Sequence, residues 1–509
     1  MIPLIEEKRE ALLKNKKCPT RLTGKALKAA RRKCQRKARQ CANNYWLTLA
    51  NQIQVAADTG NIRAMYAGIK KAVGPNKRKT APLKSKRGEV ITDKAKQMDR
   101  WKEHYAELLS TETSITAEAL QSIETLPCMS ELDNLPTKKE LSDALDCMTS
   151  GKAPGMDGIP PELLKCGKDV LIDELHDLLC NCWNGDGVPQ DMRDCKINTL
   201  YKNKGDMSDC NNYRGIALLS VVGKLFARVV LMRLQKLAER VYPESQCGFR
   251  AERSTIDMIF SLRQLQEKCR EQRKPLYMAF IDLTKAFDLV SRNGLFQILD
   301  KIGCPPKLLN MVKSFHVGMK GFVQFDGMVS SAFDITSGVK QGCVLAPTLF
   351  GIFFSVMLKQ AFGQSSEGVY LHSRSSGGLF NLSRLKAKTK RIESLIRELL
   401  FADDAAIVSH SEEELQSMME KFSNACRAFG LTISIKKTKV MVQGTEDSPE
   451  ILVDGTALDV EDDFTYLGSV MSNDLSLEKE LNRRIGRACN TFARLTERVW
   501  ENSKLTINT

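Results

Sequence analysis

The feature that most constrains the fold of this chain is a pair of adjacent acids inside an apolar run, LLFADDAAIV at residues 399–408. Strand-forming residues lead into Asp403 and Asp404 and lead away again, which predicts a tight β-hairpin with the two acids at its tip. Two unit charges about 4 Å apart repel by roughly 4 kcal/mol at an effective dielectric near 20. A hard divalent cation such as Mg²⁺ relieves that repulsion. A solvated acidic turn is the alternative for this pair taken alone.

A second acidic element is LYMAFIDLTKAFD at residues 276–288. Its apolar run predicts a buried strand that ends at Asp282. Such a strand can lie beside the predicted hairpin and supply a third carboxylate. An acid at an ordinary strand end is the alternative for Asp282 alone.

The amino-acid composition indicates which kind of partner the protein binds and in which cellular compartment it is expected. The 509 residues are 42% hydrophobic and 27% charged, enough for two to four domains with a real core, and the net charge is +15. That charge favours a polyanionic partner, with nucleic acid ahead of a membrane surface. No apolar run of membrane-spanning length and no secretory leader is visible, which predicts an intracellular protein. The sixteen Cys and five His form no C-x-x-C or zinc spacing and are interpreted as reduced, structural residues.

The amino-terminal segment 14–39 is dense in cations and contains no acid. Ala and Leu between the charges predict a helix with basic sides, which could lie along a phosphate backbone. A solvated helix and a nuclear-import patch are the alternatives. The cations are Lys14, Lys16, Lys17, Arg21, Lys25, Lys28, Arg31, Arg32, Lys33, Arg36, Lys37 and Arg39.

Two further segments suggest ligand contacts, and two more have a predicted structure only. Lys202, Lys204 and Arg214 lie at the ends of a short predicted hairpin and could clamp a triphosphate. The glycine-flanked loop 337–342, SGVKQG, precedes an apolar helix and could form the floor of a nucleotide pocket. Residues 430–439 are predicted to return as a strand after an amphipathic helix, and residues 464–468 to form a tight turn.

Taken together, these segments resemble the reverse transcriptases of non-LTR (LINE-type) retrotransposons. The resemblance rests on six motifs in the family's order and covers roughly residues 136 to 509. The motifs are NYR at 212–214, QCGFR at 246–250, Asp282 with AFD at 286–288, SGVKQG at 337–342, FADD at 401–404 and YLG at 466–468.

The resemblance implies an α/β (α+β) right-hand polymerase with fingers, palm and partial thumb, preceded by a basic helical extension. It implies RNA-directed DNA synthesis from dNTPs on an RNA template with a DNA primer, and action in the nucleus or cytoplasm. Asp282 and Asp403 would bind two Mg²⁺ ions, with Asp404 in support.

The resemblance also implies roles for other residues. Arg214, with Lys202 or Lys204, would hold the triphosphate, and Gln341 and Gly342 would lie beneath the nucleotide. Phe287 would exclude ribonucleotides by contact at the sugar 2′ position. Lys437 would donate a proton to pyrophosphate, although Ser434 replaces an Asn expected nearby. The primer grip would be Tyr466, Leu467 and Gly468.

The predicted domains are a basic helical extension with its linker at 1–135, fingers and palm at 136–460, and the primer grip with the start of the thumb at 461–509. The chain ends one helix into the thumb and no apurinic-type endonuclease precedes the polymerase, so a fragment of a longer protein is expected. Two alternatives remain open: an inactive, polymerase-derived RNA-binding remnant, and a telomerase or group II intron type of polymerase.

Overall fold

The computed structural model describes residues 1–74, 82–363, 365–374, 391–445, 448–502 and 505. The chain divides into two compact units. The terminal unit comprises Met1–Lys79 and Glu478–Thr509, and the central unit comprises Thr80–Leu477. The domain boundaries predicted after residues 135 and 460 stay predictions. The sequence NLS at 381–383, a glycosylation sequon in form only, lies outside the described residues, as do residues 75–80 of the linker that GPNKRKT at 74–80 predicts.

A mixed sheet forms the centre of the central unit. Its strands, in spatial order, are β11 (Glu398–Phe401), β12 (Asp404–Ser409), β5 (Leu276–Ile281), β13 (Lys439–Gln443) and β16 (Asp459–Val460). The first four are antiparallel to their neighbours, and β16 runs parallel to β13. All six residues of β5 are buried, because both faces of the sheet are covered.

The two faces of β5 contribute to different hydrophobic clusters. Ala279 and Ile281 join the larger cluster, which includes α10 (Val221–Ala238), α14 (Ala346–Phe362) and α15 (Glu412–Ala428). Met278 and Phe280 face the smaller cluster, which includes α11 (Thr255–Glu271) and the hairpin of β17 (Asp463–Tyr466) and β18 (Ser469–Ser472). This split follows from the two-residue period of a strand.

A second sheet joins β4 (Tyr213–Leu218), β3 (Cys195–Tyr201), β6 (Lys320–Phe325) and β7 (Met328–Val329), and β8 (Phe333–Asp334) pairs with β6. Helix α4 (Lys94–Leu109) packs on it through Trp101, which is fully buried. The Trp101 ring centroid lies 4.9 Å from that of Tyr213 and 5.4 Å from that of Phe325. These contacts fix the β3–β4 hairpin, which carries three of the predicted cations.

The remaining elements of the central unit are short or peripheral. The helices are α5 (Ala117–Ser122), α6 (Lys138–Asp146), α7 (Pro161–Cys166), α8 (Lys168–Asn181), α9 (Gln190–Arg193), α12 (Arg292–Lys301) and α13 (Pro306–Ser314). Further helical turns span Ser130–Asp133, Cys182–Asp186 and Cys210–Asn212. The strands are β1 (Leu83–Lys84), β2 (Val90–Ile91), β9 (Val369–Arg374), β10 (Arg391–Ile396), β14 (Leu452–Val453) and β15 (Thr456–Ala457).

The terminal unit is helical, with α1 (Ile2–Lys17), α2 (Arg21–Asp58), α3 (Ile62–Val73), α16 (Glu478–Ala493) and a last turn at Thr496–Trp500. The single basic helix predicted over residues 14–39 is wrong in one respect, because the chain breaks between α1 and α2. Pro19 lacks the N–H that an uninterrupted helix needs, and Thr20 caps α2 by accepting from the Thr23 N–H at 3.2 Å. Arg498 lies over the Trp46 ring at 6.0 Å.

The strand predicted over residues 430–439 is also wrong. The chain forms a bridge at Ile433 and a turn, and β13 begins only at Lys439. Ser434 starts the turn, since its carbonyl accepts from Lys437 N–H at 3.0 Å and from Thr438 N–H at 2.9 Å. These two backbone hydrogen bonds close a turn where strand pairing was predicted.

Candidate active site

The hairpin β11–β12 turns over Ala402 and Asp403, so Asp404 is already the first residue of β12. Ala402 has φ +59°, as a tight turn requires. The buried amide oxygen of Gln246 stabilises the turn by accepting from Ala402 N–H at 3.1 Å and from Gly248 N–H at 2.7 Å. A Cβ on Gly248 would lie 2.2 Å from the Ala402 nitrogen, which explains the glycine at this position. The segment 246–248 therefore acts as a support for the acidic hairpin.

Strand register brings the first acidic element next to this hairpin. Ile281 of β5 pairs with Ala405 of β12, so the next pair in the antiparallel ladder is Asp282 and Asp404. Directly opposite residues project to the same face. Asp282 therefore meets Asp403 and Asp404, which lie more than 100 residues further along the chain, at one edge of the central sheet.

The acids influence one another. Burial raises the pKa of Asp404 to about 6, and the negative charges of Asp403 and Asp282 act in the same direction. Burial also raises the pKa of Asp403, with a further contribution from Asp282. The cations Lys437 and Arg214 oppose both pKa shifts. Neighbouring carboxylates that resist ionisation are common at functional sites.

Lys437 lies on the other side of Asp282. Its ammonium is 2.7 Å from Asp282 Oδ2. The turn before β13 fixes this position, because Ser434 N–H donates to the Asp282 carbonyl at 2.8 Å and Asp282 N–H donates to Thr438 Oγ1 at 3.3 Å. Ser434, which replaces the expected Asn, thus connects the turn to β5 through its backbone.

The predicted fingers cations come from the β3–β4 hairpin. Leu200 pairs with Arg214, and Lys202 Nζ donates to the Asn211 carbonyl at 2.7 Å. Burial lowers the pKa of Lys202, and the charge of Arg214 lowers it further. Arg214 is exposed and forms no ion pair with any described residue. Lys204 is exposed in the turn.

The loop 337–342 docks against β4. Ala217 N–H donates to the Gln341 carbonyl at 2.9 Å. Gly342 has φ +100°, and a Cβ there would lie 2.6 Å from the Ala217 carbonyl oxygen, so this close approach needs glycine. Both Gln341 and Gly342 are exposed.

Sequence analysis missed the residue that holds this loop, Arg292. Its buried guanidinium donates to the carbonyls of Gly338 at 3.0 Å, Ser337 at 3.2 Å and Ile335 at 2.8 Å. No sequence signal pointed to it, because an Arg at the start of a helix is ordinarily a surface residue.

Phe287 is 8% exposed, and its ring stacks on that of Phe350 with centroids 4.4 Å apart. The ring therefore belongs largely to the core in this structure. The backbone of the next residue, Asp288, lies against Gly338, so Phe287 is adjacent to the docked loop.

The segment 466–468 forms the β17–β18 turn, with φ +47° at Leu467 and +90° at Gly468. Tyr466 is buried, its ring centroid lies 5.4 Å from that of Phe280, and its hydroxyl donates to the Leu399 carbonyl at 3.3 Å. The turn thus lies over the face of the sheet that carries Phe280.

Two further residues near the site were missed by sequence analysis, although both lie in the quoted 276–288 motif. Lys285 is exposed, has φ +49°, and forms no ion pair with any described residue. Its charge lowers the pKa of Lys202, which places the two cations near each other. Burial raises the pKa of Asp288 to about 6, against the opposing charges of Lys285 and Lys202.

The donor set suits a hard divalent cation, because the three converging groups are carboxylates. In the described part of the chain, no three His, Cys, Asp or Glu side chains already form a metal-ligand cluster. The ammonium of Lys437 neutralises Asp282 instead. The chemistry of the residues therefore fits Mg²⁺, whereas their arrangement as a ligand cluster is not preformed.

Comparison with known proteins agrees with this geometry. A family model described as reverse transcriptase (RNA-dependent DNA polymerase) matches residues 201–471, more than half of the chain. The chain therefore belongs to the reverse transcriptase family, which confirms the right-hand polymerase fold class. The family match includes all the predicted site residues from 201 to 468.

Individual relatives place the chain more narrowly. It is 25% identical to the RNA-directed DNA polymerase from mobile element jockey of Drosophila funebris over 68% of this chain and 36% of that protein. It is 26% identical to the transposon TX1 uncharacterized 149 kDa protein of Xenopus laevis over 59% of this chain and 23% of that protein. The retrovirus-related Pol polyprotein from type-1 retrotransposable element R2 of Popillia japonica is 26% identical over 53% of this chain and 36% of that protein. The resemblance to non-LTR retrotransposon reverse transcriptases is thereby confirmed.

The matched region spans about a quarter to two fifths of the length of these and similar relatives. Among solved structures, apo telomerase from Candida tropicalis, truncated from its C-terminal domain, is similar with a TM-score of 0.38 and 15% identity over 64% of this chain and 61% of that one. None of the described helices is both long and apolar enough to cross a membrane.

Proposed function

We propose that the chain is an RNA-directed DNA polymerase that transfers a nucleotide from a dNTP to the 3′-hydroxyl of a DNA primer on an RNA template. The observation that carries the proposal is the register of β5 and β12, which sets Asp282 opposite Asp404 with Asp403 in the adjoining turn. Lys437 and Arg214 influence the same acids. Acids and cations around one point suit phosphoryl transfer, in which positioning and charge stabilisation carry most of the catalysis.

Asp282 and Asp403 would hold two Mg²⁺ ions, and Asp404 would support the site without having to ligate both. Bound there, the ions would lower the pKa of the primer hydroxyl and stabilise the charge on the leaving pyrophosphate. The raised pKa values of Asp403 and Asp404 support this assignment, since divalent charge is the natural counterpart of mutually repelling carboxylates.

The cations would bind the triphosphate. Arg214 offers a planar fork with no protein partner among the described residues, and Lys202 offers a point charge next to it. Lys204 would take part only if the fingers hairpin moves toward the acids. Lys437, already at Asp282, would protonate the leaving pyrophosphate.

The remaining contacts are positional. Gln341 and Gly342 would support the nucleotide from the loop docked on β4, and Phe287 would limit space at the sugar 2′ position. The turn of Tyr466, Leu467 and Gly468 would guide the primer strand.

Primer extension on an RNA template with Mg²⁺ tests the proposal. The wild type should add nucleotides, and Asp403→Asn, which keeps the side-chain size, should not. Asp326→Asn is a matched control, because Asp326 also lies in a tight hairpin turn of the central unit, with φ +48°, but pairs with Lys94. The proposal fails if the wild type adds no nucleotide or if Asp403→Asn extends as well as the control. An inactive wild type that still binds RNA would instead support the remnant hypothesis.

A further inference from the structure

The positive charge of the chain is concentrated in one region. Residues 1–74 contain seventeen Lys and Arg against four Asp and Glu, whereas residues 80–477 contain 49 against 53. The terminal unit as a whole contains 27 Lys and Arg against eight Asp and Glu, a net charge of +19, whereas the central unit has a net charge of −4. The overall basicity thus says little about the polymerase site and points to a separate anion-binding surface.

Within the terminal unit, six cations form one straight row on α2, called here the α2 stripe. They repeat every three or four residues, so they lie on one face of the helix. All six are exposed, and the buried residues of this part of the helix, Leu27 and Ala30, face another direction. The members of the stripe are Arg21, Lys25, Lys28, Arg32, Arg36 and Arg39.

The stripe is uncompensated. Among the described residues, none of its members forms an ion pair or a side-chain hydrogen bond. Cations of the same helix outside the stripe do have partners, since Lys33 pairs with Glu7 at 2.9 Å and Lys37 donates to Gln40 at 3.1 Å. Like charges at i and i+4 destabilise a helix by about 0.2–0.5 kcal/mol per pair. The helix therefore carries a repulsive row that a bound polyanion would relieve.

The dimensions suit a phosphate backbone. Eighteen residues separate the first and last members, which is about 27 Å at 1.5 Å per residue, with a cation about every 5 Å. A strand of duplex DNA carries one phosphate per roughly 3.4 Å of axis, so the stripe is long enough to follow several successive phosphates of a nucleic-acid strand. A membrane surface suits the stripe less well, because a membrane-bound helix needs an exposed apolar face, and Leu27 and Ala30 are buried in the protein.

We propose that the α2 stripe is an RNA-binding surface that contacts the phosphate backbone and is distinct from the polymerase site. RNA is chosen over DNA because the family to which the chain belongs copies RNA, so this choice rests on the proposed function. Contact of this kind would be independent of sequence and steeply dependent on salt.

Two variants of the full chain with the same loss of charge test the proposal. The stripe variant is Lys28→Gln, Arg32→Gln and Arg36→Gln, and the control is Arg31→Gln, Lys33→Gln and Lys37→Gln on the same helix. The control breaks the Lys33–Glu7 pair, but both side chains are largely exposed, so little stability is lost. Far-UV circular dichroism and thermal melting establish that both variants are folded.

The readout is the dissociation constant for a labelled RNA hairpin, measured from low to moderate salt. The stripe variant should bind at least about tenfold more weakly at moderate salt, and its slope of log K against log salt should be smaller by about 3, one for each lost phosphate contact. The dissociation constant and the salt slope of the control variant should stay near those of the wild type. Equal losses in both variants, or an unchanged slope in the stripe variant, would overturn the proposal. Tighter stripe-dependent binding to a DNA duplex of the same sequence, or to phosphatidylserine vesicles, would overturn the assignment to RNA.

Asp403→Asn separates this inference from the proposed function. That variant should lose primer extension and keep wild-type affinity for the hairpin. If the wild type extends no primer but stripe-dependent RNA binding persists, the polymerase proposal fails and the stripe proposal stands. If the wild type extends the primer normally and the stripe variant binds RNA like the wild type, the stripe proposal fails and the polymerase proposal stands.

Discussion

The acidic edge of the central sheet and the basic stripe on α2 concentrate charge in opposite ways. At the sheet edge, Asp282 and Asp404 come from distant parts of the sequence, and burial shifts the pKa of Asp404. On α2, the cations come from one short segment, are exposed, and need only a helix to align them. The comparison teaches that partly desolvated charges held at fixed positions by distant strands suit chemistry, whereas a row of cations along one exposed helix face suits sequence-independent binding. The predictions below test how far that division holds, beginning with the largest effect.

Asp282→Asn should abolish the proposed chemistry while leaving RNA affinity intact. Loss of a metal-binding carboxylate should lower kcat by about three orders of magnitude, because a bound metal contributes several kcal/mol to the transition state. Single-turnover primer extension measures the loss, and RNA-hairpin titration measures the affinity. A variant that keeps more than a tenth of wild-type kcat would contradict the role given to Asp282.

Lys437→Ala should have the next largest effect. Removing a general acid typically costs at least about 10² in rate, so kcat should fall by about 10² while the KM for dNTP changes little. The kcat of Lys437→Arg should lie between those of the wild type and the alanine variant, since the charge remains but proton transfer is poor. An equal effect of both variants on KM alone would indicate a triphosphate-binding role instead.

Lys285→Ala should act on binding. Lys285 lies near Lys202 and has no ion-pair partner in the described chain, so we expect it to contribute to the triphosphate site. The KM for dNTP should rise about tenfold with kcat nearly unchanged, because loss of uniform binding affects KM first. Lys139→Ala, an exposed lysine elsewhere in the central unit, is the control. A KM equal to that of the control would exclude Lys285 from the site.

Asp288→Asn should have the smallest effect, on stability. Burial raises the pKa of Asp288 from its ordinary value of 3.8 to about 6 in the folded protein, so the folded state binds the proton more tightly. The free energy of unfolding should therefore decrease as pH rises from about 4 to 6, and above pH 6 the ionised group lowers stability throughout. Asp288→Asn should flatten this dependence and raise Tm at pH 7.5, as measured by thermal melting in low salt. If Asp288→Asn leaves the pH dependence of the free energy of unfolding unaltered, the pKa of Asp288 is not raised in the folded protein.

Much of the fold was predictable because its signals are local. The apolar run before Asp282 gave the position of β5, and the apolar runs on either side of Asp403 and Asp404 gave the hairpin. The errors arose where local signals compete: Pro19 interrupts the basic helix, and the Ser434–Thr438 hydrogen bonds delay β13 until Lys439.

The candidate site was predictable only through the order of its motifs. No single motif indicated that Gln246 supports the Ala402 turn or that Arg292 holds the loop at Gly338. Both side chains act through backbone atoms far away in sequence, and such contacts leave no periodicity in the chain.

The sequence by itself determined the strands, the acidic turn, the basic segment and membership of the reverse transcriptase family, because these depend on neighbouring residues or on motif order. Only the tertiary structure decided that Asp282 lies opposite Asp404 and that Lys437 neutralises Asp282. It also showed that the net charge belongs to a separate helical unit. The physical reason is that register between distant strands, and the desolvation that shifts a pKa, arise only when the chain packs.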